Sequence, residues 1–152
     1  MSKELPDIGN LVRHRGPMLL IDRLIEASEI HAVGEVLISE ASSFFKPGRG
    51  VPAYVGLEYM AQTVATFDGA RRVATGEAPA IGFLLGTRRY AATRGYFLAG
   101  ELLSIRAEMI FNEGGMASFD CTVSVGDEPR ASATLNVYRP ENGEFASTGN
   151  IA

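Results

Sequence analysis

The sequence predicts an α+β protein in which a curved antiparallel sheet wraps around one long helix. Two observations support this fold class: three successive segments alternate apolar and polar residues with a period of two, and one segment before them is apolar or small on nearly every side. Period-two alternation is typical of strands with one buried face. A helix that is apolar nearly all round must be covered, and in a chain of 152 residues the concave face of the sheet is the available cover.

Three alternating segments predict the clearest strands: residues 103–111, 117–125 and 131–137. Their odd positions are apolar, as at Leu103 and Leu135, whereas their even positions are mainly polar. The connections at 112–115 and 126–129 are short and rich in turn-forming residues. Consecutive strands should therefore pair antiparallel and form a meander.

The helix is predicted over residues 51–72, between two groups of strands. Pro52 suits its first turn, where the missing N–H of proline costs no hydrogen bond. Further strands are predicted at three places: residues 18–28, 31–39 and 80–86, the last continuing towards Ala92. These elements should make one domain over residues 1–140, and the polar sequence of 141–152 predicts a loose tail.

Composition limits the classes of function. A net charge of −4 speaks against a nucleic-acid binder held by a basic surface. Cys121 is the only cysteine, the two histidines lack metal-ligand spacing and no phosphate-binding glycine loop is present, so we expect no metal and no cofactor. The first ten residues do not resemble a signal peptide, and no apolar run approaches the roughly 20 residues of a membrane span. We therefore expect a cytoplasmic protein.

Glu58 is the one charged side chain between Leu57 and Phe67 of the predicted helix. Gln62 follows four residues later and therefore shares its face, while small residues keep that face thin enough for a ligand or another backbone. A partly buried carboxyl group in such a position can donate a proton. It can equally be a structural group that hydrogen-bonds the Gln62 amide or a neighbouring loop, and the residue pattern leaves both readings open.

The start of the same helix offers a second polar feature. The first N–H groups of a helix have no partner within it. The amides near Ala53 and Tyr54 are therefore able to hold a developing oxyanion or to be capped by water or a loop. An acid beside two such donors favours an acyl-thioester or acyl-ester site.

Three segments resemble the bacterial 3-hydroxyacyl-acyl-carrier-protein dehydratases: RHRGPMLLIDR (13–23), SSFFKPGRGVPAYVGLEYMAQ (42–62) and FLLGTRRYAATRGYFLAGELLSIRAE (83–108). They occur in the family's order and cover most of the chain, and the helix is most similar to a dehydratase-like branch associated with aryl-polyene synthesis. The resemblance implies the hotdog fold, in which an antiparallel sheet wraps a long helix, and a dimeric assembly. It also implies a lyase that eliminates water from a 3-hydroxyacyl thioester in fatty-acid or polyene synthesis.

The resemblance also assigns roles to individual residues. The family's acid falls on Glu58, its oxyanion amides fall on Ala53 and Tyr54, and Gln62 joins the substrate-binding residues. The family's catalytic loop histidine, in G-H-F-P-G, has no counterpart, because this loop reads FFKPGRGVP. His14 matches another segment of the family and is the candidate base, with ordering of the N-terminal loop as its alternative role.

The missing loop histidine keeps more than one function open. Besides a dehydratase, the chain could be a non-catalytic or half-catalytic partner of a complete hotdog dehydratase, or a hotdog thioesterase that releases a free acid. The implied partners are an acyl carrier protein bearing a 3-hydroxyacyl chain and a second hotdog subunit, in a homodimer or a heterodimer. His31 is expected at the surface, without a catalytic role.

Overall fold

The computed structural model describes residues 19–74 and 83–138, and within them α1 is the one α-helix. It spans Gly56–Ala74 and follows a short 3₁₀ turn at Ala53–Val55. The described strands are β1 Arg23–Ala27, β2 His31–Leu37, β3 Val51–Pro52, β4 Phe83–Ala92, β5 Tyr96–Phe97, β6 Leu102–Glu113, β7 Met116–Val125 and β8 Glu128–Tyr138. One long helix among many strands agrees with the predicted α+β class.

Most of the strands form one antiparallel sheet of 6 strands, in the order β1-β2-β6-β7-β8-β4. β3 and β5 form a separate pair. The predicted meander is confirmed, since β6 pairs with β7 and β7 pairs with β8. The helix α1 contacts β1, β2, β6, β7 and β8 of the large sheet, which is the arrangement expected when a sheet wraps a helix.

The core forms where α1 meets the concave face of the sheet. Four large or branched side chains of the helix are buried: Tyr59, Met60, Val64 and Phe67. They pack against the odd-numbered side chains of the meander: Leu103, Ile105, Phe119, Val123 and Leu135. Full burial of one side chain of this size contributes about 1.5–3 kcal/mol, so the helix and the meander stabilise each other.

Gly34 allows β2 to approach the helix closely. A Cβ atom at this position would lie 2.9 Å from Thr63 Oγ1 and 3.2 Å from Ile21 Cγ2. The Thr63 hydroxyl donates to the Tyr59 carbonyl at 2.9 Å, so it is already engaged with its own helix. A larger residue than glycine would therefore push the strand away from α1.

Two local predictions are wrong. The alternating pattern predicts a buried Phe111, but this side chain is 47% exposed, because the pairing of β6 with β7 shifts between Met109 and Phe111 and such a bulge redirects the side chains that follow. Pro52 lies in β3 and not in the first helical turn. The reason is the pairing of Val51–Pro52 with Tyr96–Phe97, a distant contact that no local pattern indicates.

Some predicted segments lie partly or wholly outside the described residues. The strand predicted at 80–86 is described from Phe83 and does continue to Ala92, whereas residues 80–82 lie outside the described part. The domain boundary at 140 and the tail at 141–152 also lie outside it. Within the described part, no helix combines the length and the apolar character needed to cross a membrane.

Cys121 provides a test of the core. Burial raises the pKa of its thiol to about 12, and the charge of Asp120 adds to the effect. Because the thiolate is the reactive form, we expect a disulfide reagent to label the native protein only as fast as the protein unfolds.

The matched control moves the thiol to the surface. The variant Cys121→Ser with Ser132→Cys places a cysteine on an exposed position of β8 and should react at the rate of a free thiol. Equal labelling rates of this variant and the wild type under native conditions would contradict the described burial of Cys121.

Candidate active site

Glu58 and Gln62 lie one helical turn apart on α1 and are hydrogen-bonded to each other. The Gln62 Nε2 group donates to Glu58 Oε2 at 2.9 Å. Gln62 is 0% exposed, whereas Glu58 is only partly buried. The structure thus brings these two predicted site residues together on one face of the helix, as their spacing indicated.

Backbone groups of the segment before β1 fix the orientation of the Gln62 amide. The Leu20 N–H donates to Gln62 Oε1 at 2.8 Å, and the Ile21 N–H donates to the same oxygen at 3.4 Å. Because the amide oxygen faces these two donors, the amide nitrogen faces Glu58, whose Oε2 then acts as the acceptor. This geometry fits both a structural carboxylate and a positioned acid.

Both the backbone N–H and the backbone carbonyl of Ala53 are hydrogen-bonded. Its N–H donates to the Gly95 carbonyl at 2.8 Å, and its carbonyl accepts a hydrogen bond from the Tyr90 hydroxyl. Burial raises the pKa of Tyr90, so this hydroxyl keeps its proton at neutral pH. The Ala53 N–H is thus engaged with a loop carbonyl in this structure, which is the capping role that the sequence left open beside that of an oxyanion donor. Tyr54, the next residue, has a side chain that is 66% exposed.

Close packing by β5 explains the glycine at the start of α1. A Cβ atom at Gly56 would collide with the Tyr90 hydroxyl and would lie 3.3 Å from two atoms of the Phe97 ring. Val51 pairs with Phe97 and Pro52 with Tyr96 in the two-residue sheet. The helix therefore begins where β5 packs against it.

The loop before this point, residues 39–50, contains no histidine. It closes with two reciprocal backbone bonds, from Lys46 N–H to the Gly50 carbonyl at 2.7 Å and from Gly50 N–H to the Lys46 carbonyl at 2.9 Å. Gly50 adopts a φ of 123°, where a side chain would be strained. Arg49 donates to the Tyr96 hydroxyl at 3.3 Å, which places this cation beside β5 and the helix start.

Sequence reasoning missed Arg130, which is 1% exposed. Its Nη1 donates to Glu101 Oε2 at 2.8 Å, and its Nη2 donates to the Tyr96 carbonyl at 2.9 Å. Its guanidinium carbon lies 5.6 Å from the centre of the Phe97 ring, within the range of a cation–π contact. Arg130 therefore ties β8 to the turn before β6 and to β5.

A β-bulge explains why the sequence pattern gave no signal for Arg130. Ser124 pairs with Pro129 and Val123 pairs with Ala131, so Arg130 is the extra residue of β8. A bulge turns a side chain away from the face that strict alternation predicts. An arginine beside the turn at 126–127 would ordinarily be read as solvent-exposed.

Glu101, which is only partly buried, is the ionic partner of Arg130. The Leu98 N–H donates to Glu101 Oε1 at 2.7 Å, while Arg130 holds Oε2. Burial by itself raises the pKa of Glu101, but the hydrogen bonds from Arg130 and Leu98, together with the charges of Arg130 and Arg94, outweigh burial and lower the pKa. The carboxylate is therefore ionised at neutral pH.

A cleft of about 170 Å³ borders the segment whose N–H groups hold Gln62. Its lining includes Leu20, Asp22, Leu37, Ser42 and Tyr59. Leu20 therefore borders the cleft and also donates its N–H to Gln62. Burial raises the pKa of Tyr59, and the negative charge of Asp22 adds to the effect, so the phenol in this wall stays neutral.

His14, the candidate base, lies outside the described residues, and its role stays a prediction. His31 Nδ1 lies 2.7 Å from Ser28 Oγ, and its Nε2 contacts the Glu26 carboxylate, so its side-chain partners belong to the β1–β2 hairpin. In residues 19–74 and 83–138, no three His, Cys, Asp or Glu side chains converge to hold a metal ion.

Solved structures share this fold. The structure "The Dehydratase Heterocomplex ApeI:P from Xenorhabdus doucetiae" matches with a TM-score of 0.86 and 25% identity, covering 97% of this chain and 100% of that chain. A hypothetical thioesterase with coenzyme A from Streptococcus pneumoniae matches with a TM-score of 0.63 and 10% identity, covering 78% and 84% of the two chains, and shows the fold alone. The protein has the hotdog fold of these neighbours.

The chain belongs to the ApeP-like family. The sequence model of this family, described as ApeP dehydratase, matches residues 6–148. The 3-hydroxyacyl-[acyl-carrier-protein] dehydratase FabZ of Acinetobacter baylyi is 26% identical over 143 residues, 90% of this chain and 95% of the relative. The FabZ of Levilactobacillus brevis is 30% identical over 136 residues, 85% of this chain and 88% of the relative. The family identified from the sequence is confirmed.

Replacing the Gln62 amide should destabilise the fold. Gln62→Met keeps a similar volume but removes the acceptor for the Leu20 and Ile21 N–H groups and the donor to Glu58. Because an unsatisfied buried polar group costs about 1–3 kcal/mol, we expect the free energy of unfolding in urea to fall by about that amount.

Thr66→Val is the matched control on the same helix, because the Thr66 hydroxyl donates to the nearby Thr63 carbonyl at 2.7 Å and so serves its own helix. It should cost less than Gln62→Met. Equal stabilities of Gln62→Met and the wild type would show that the amide does not hold the segment before β1.

The lowered pKa of Glu101 predicts an acid dependence of stability. A carboxyl group with a lowered folded-state pKa contributes stability above its unfolded-state pKa, near about 4.3 for glutamate, and loses it as the pH falls through the folded-state pKa. We expect Glu101→Gln to be less stable than the wild type at neutral pH and to lose less stability below about pH 4. If the free energies of unfolding of the two proteins changed in parallel with pH across this range, the lowered pKa of Glu101 would be contradicted.

Proposed function

We propose that this protein removes water from a 3-hydroxyacyl thioester carried by an acyl carrier protein, and that Glu58 is the acid of this reaction. One observation supports the proposal above the others: Gln62, itself buried and fixed by two backbone donors, holds one oxygen of the Glu58 carboxyl group. The curated relatives are named as dehydratases of 3-hydroxyacyl-acyl-carrier-protein, and they supply the substrate class of the proposal.

The proposed reaction is a β-elimination of water from the 3-hydroxyacyl chain. A base takes the proton from C2 of the acyl chain, the C2–C3 double bond forms and the C3–O bond breaks. The carboxyl group of Glu58 gives a proton to the departing hydroxyl, which leaves as water. The product is a trans-2-enoyl thioester, and a proton passes back from the base to Glu58 before the next turnover.

The carbonyl oxygen of the thioester gains negative charge during proton removal and needs a donor. The Ala53 N–H is engaged with Gly95, so we assign this task first to the Tyr54 N–H, one residue further into the helix start. The Ala53 N–H could join only if its bond to Gly95 breaks. His14 remains the proposed base within this chain.

A half-catalytic subunit is a second candidate, and the loop at 39–50 favours it because it contains no histidine. In this version another hotdog subunit supplies the base while this chain supplies Glu58. The similar solved structure is itself a dehydratase heterocomplex. β4 lies at one edge of the sheet and is our proposed pairing strand for a second subunit, since an edge strand offers unpaired backbone groups.

Glu58→Gln tests the acid directly. The variant keeps the size of the side chain and one oxygen that can accept from Gln62 Nε2, but it cannot donate an acid proton. We expect the turnover of a 3-hydroxyoctanoyl thioester of acyl carrier protein to fall about 10²–10⁴-fold, the usual contribution of a general acid or base. The formation of the enoyl product is followed by mass spectrometry, which also detects any free acid released by a thioesterase.

Asp68→Asn is the matched control, because it makes the same acid-to-amide change on the same helix. It should retain the wild-type rate. Full activity of Glu58→Gln would overturn the assignment of the acid. Turnover that requires a second hotdog subunit with a loop histidine would select the half-catalytic version, and release of free acid without enoyl product would overturn the dehydratase proposal.

A further inference from the structure

We propose that Arg130 is a positioning residue for the helix start at Ala53–Val55. This inference deepens the proposed function and rests on it in one respect, because the proposed function places the thioester at that helix start. Arg130 itself lies on β8, and its guanidinium group donates to the Glu101 carboxylate and the Tyr96 carbonyl. It acts through the short strand β5 and the turn that follows it.

The guanidinium group holds two different parts of the chain at once. One nitrogen donates to the Tyr96 carbonyl at 2.9 Å, and another donates to Glu101 Oε2 at 2.8 Å. Arg130 also anchors the beginning of the same segment through its backbone, since its carbonyl accepts a bond from the Thr93 N–H at 2.9 Å. Residues 93–101 are therefore fixed to β8 at both ends and near the middle.

The fixed segment in turn holds the helix start. The Gly95 carbonyl accepts the Ala53 N–H at 2.8 Å, and Tyr96–Phe97 pairs with Val51–Pro52. The Phe97 ring, against which Arg130 packs, lies at the position where Gly56 must lack a side chain. A shift of β5 would therefore move Ala53 and the donor groups that follow it.

The energetics of a buried ion pair favour a positioning role over a purely stabilising one. Replacing such a pair with apolar residues is often neutral or stabilising, so stability alone does not explain an arginine that is 1% exposed. A guanidinium group can direct hydrogen bonds to two acceptors in a fixed geometry, which a lysine ammonium group on its flexible stem does less well. Arg130 is suited to fix the Tyr96 carbonyl and the Glu101 carboxylate relative to each other.

The double variant Arg130→Met with Glu101→Gln tests this role. It removes both charges together, so that no unpaired buried charge remains, and the introduced amide oxygen would still accept the Leu98 N–H. We expect a folded protein whose melting temperature stays within about 5 °C of the wild type. Amide hydrogen exchange of Ala53 should become about tenfold faster, while exchange in the middle of α1 stays unchanged.

Kinetics of the same variant test the consequence for the reaction. For the 3-hydroxyoctanoyl thioester of acyl carrier protein, kcat should fall about tenfold while KM stays within about twofold, the pattern of an interaction lost mainly in the transition state. Arg130→Lys, which keeps the charge and can keep one of the two bonds, should give an intermediate exchange rate and kcat. It also serves as the second variant if the double variant does not fold.

The exposed pair of Arg94 and Glu128 supplies the matched control. Arg94 Nη2 donates to Glu128 Oε2 at 2.8 Å, and this pair joins the same segment to β8 at the surface. Arg94→Gln with Glu128→Gln should leave both the exchange of Ala53 and kcat unchanged.

The exchange rate of Ala53 tests the role of Arg130, whereas turnover by the wild type tests the proposed function. Unchanged exchange at Ala53 in folded Arg130 variants would overturn the positioning role. Faster exchange at Ala53 with an unchanged kcat would show that the positioning by Arg130 does not affect the reaction. A wild-type protein without turnover, alone and with a second hotdog subunit, would overturn the proposed function, and the exchange rate of Ala53 would still decide whether Arg130 holds the helix start.

Discussion

The fold depends on covering one helix with one sheet. An α-helix buried on most sides cannot leave polar side chains without partners, and α1 meets this demand in two ways. Thr63 and Thr66 donate to carbonyls of their own helix at 2.9 and 2.7 Å, so they require nothing from the sheet. Gln62 instead accepts hydrogen bonds from the Leu20 and Ile21 N–H groups before β1, and these bonds orient the amide that donates to Glu58.

The helix start depends on contacts that are distant in sequence. β5, the Tyr90 hydroxyl and the Gly95 carbonyl all meet the chain between Val51 and Gly56, and none of these groups is local to it. The side chain of Glu58 is thus held through Gln62 by backbone groups that precede α1 in the sequence. The backbone of the helix start is held by residues that follow α1 in the sequence. The two parts of the candidate site are held by separate sets of contacts, which meet on the first turns of α1.

The sequence predicted those features that have a local cause. Period-two alternation indicated the meander, and the spacing of four residues indicated that Glu58 and Gln62 share a face. The pattern could not indicate features that arise from pairing: the β3–β5 contact, the exposure of Phe111 beyond its bulge, and the burial of Arg130. The partner of Gln62 was also out of reach, since the Leu20 N–H is a backbone group that carries no side-chain signal. His14 remains a prediction from resemblance.

The bulge at Arg130 has a consequence for comparisons among related chains. Arg130 has no pairing partner on β7. A related chain without this residue could therefore keep the pairing of β7 with β8 from Ala131 onwards and have a turn that is one residue shorter. An alignment would place the resulting gap in that turn and would record it as harmless loop variation. A change of one residue in loop length could therefore conceal the loss of an internal arginine, and with it a different arrangement at a site on the opposite half of the chain.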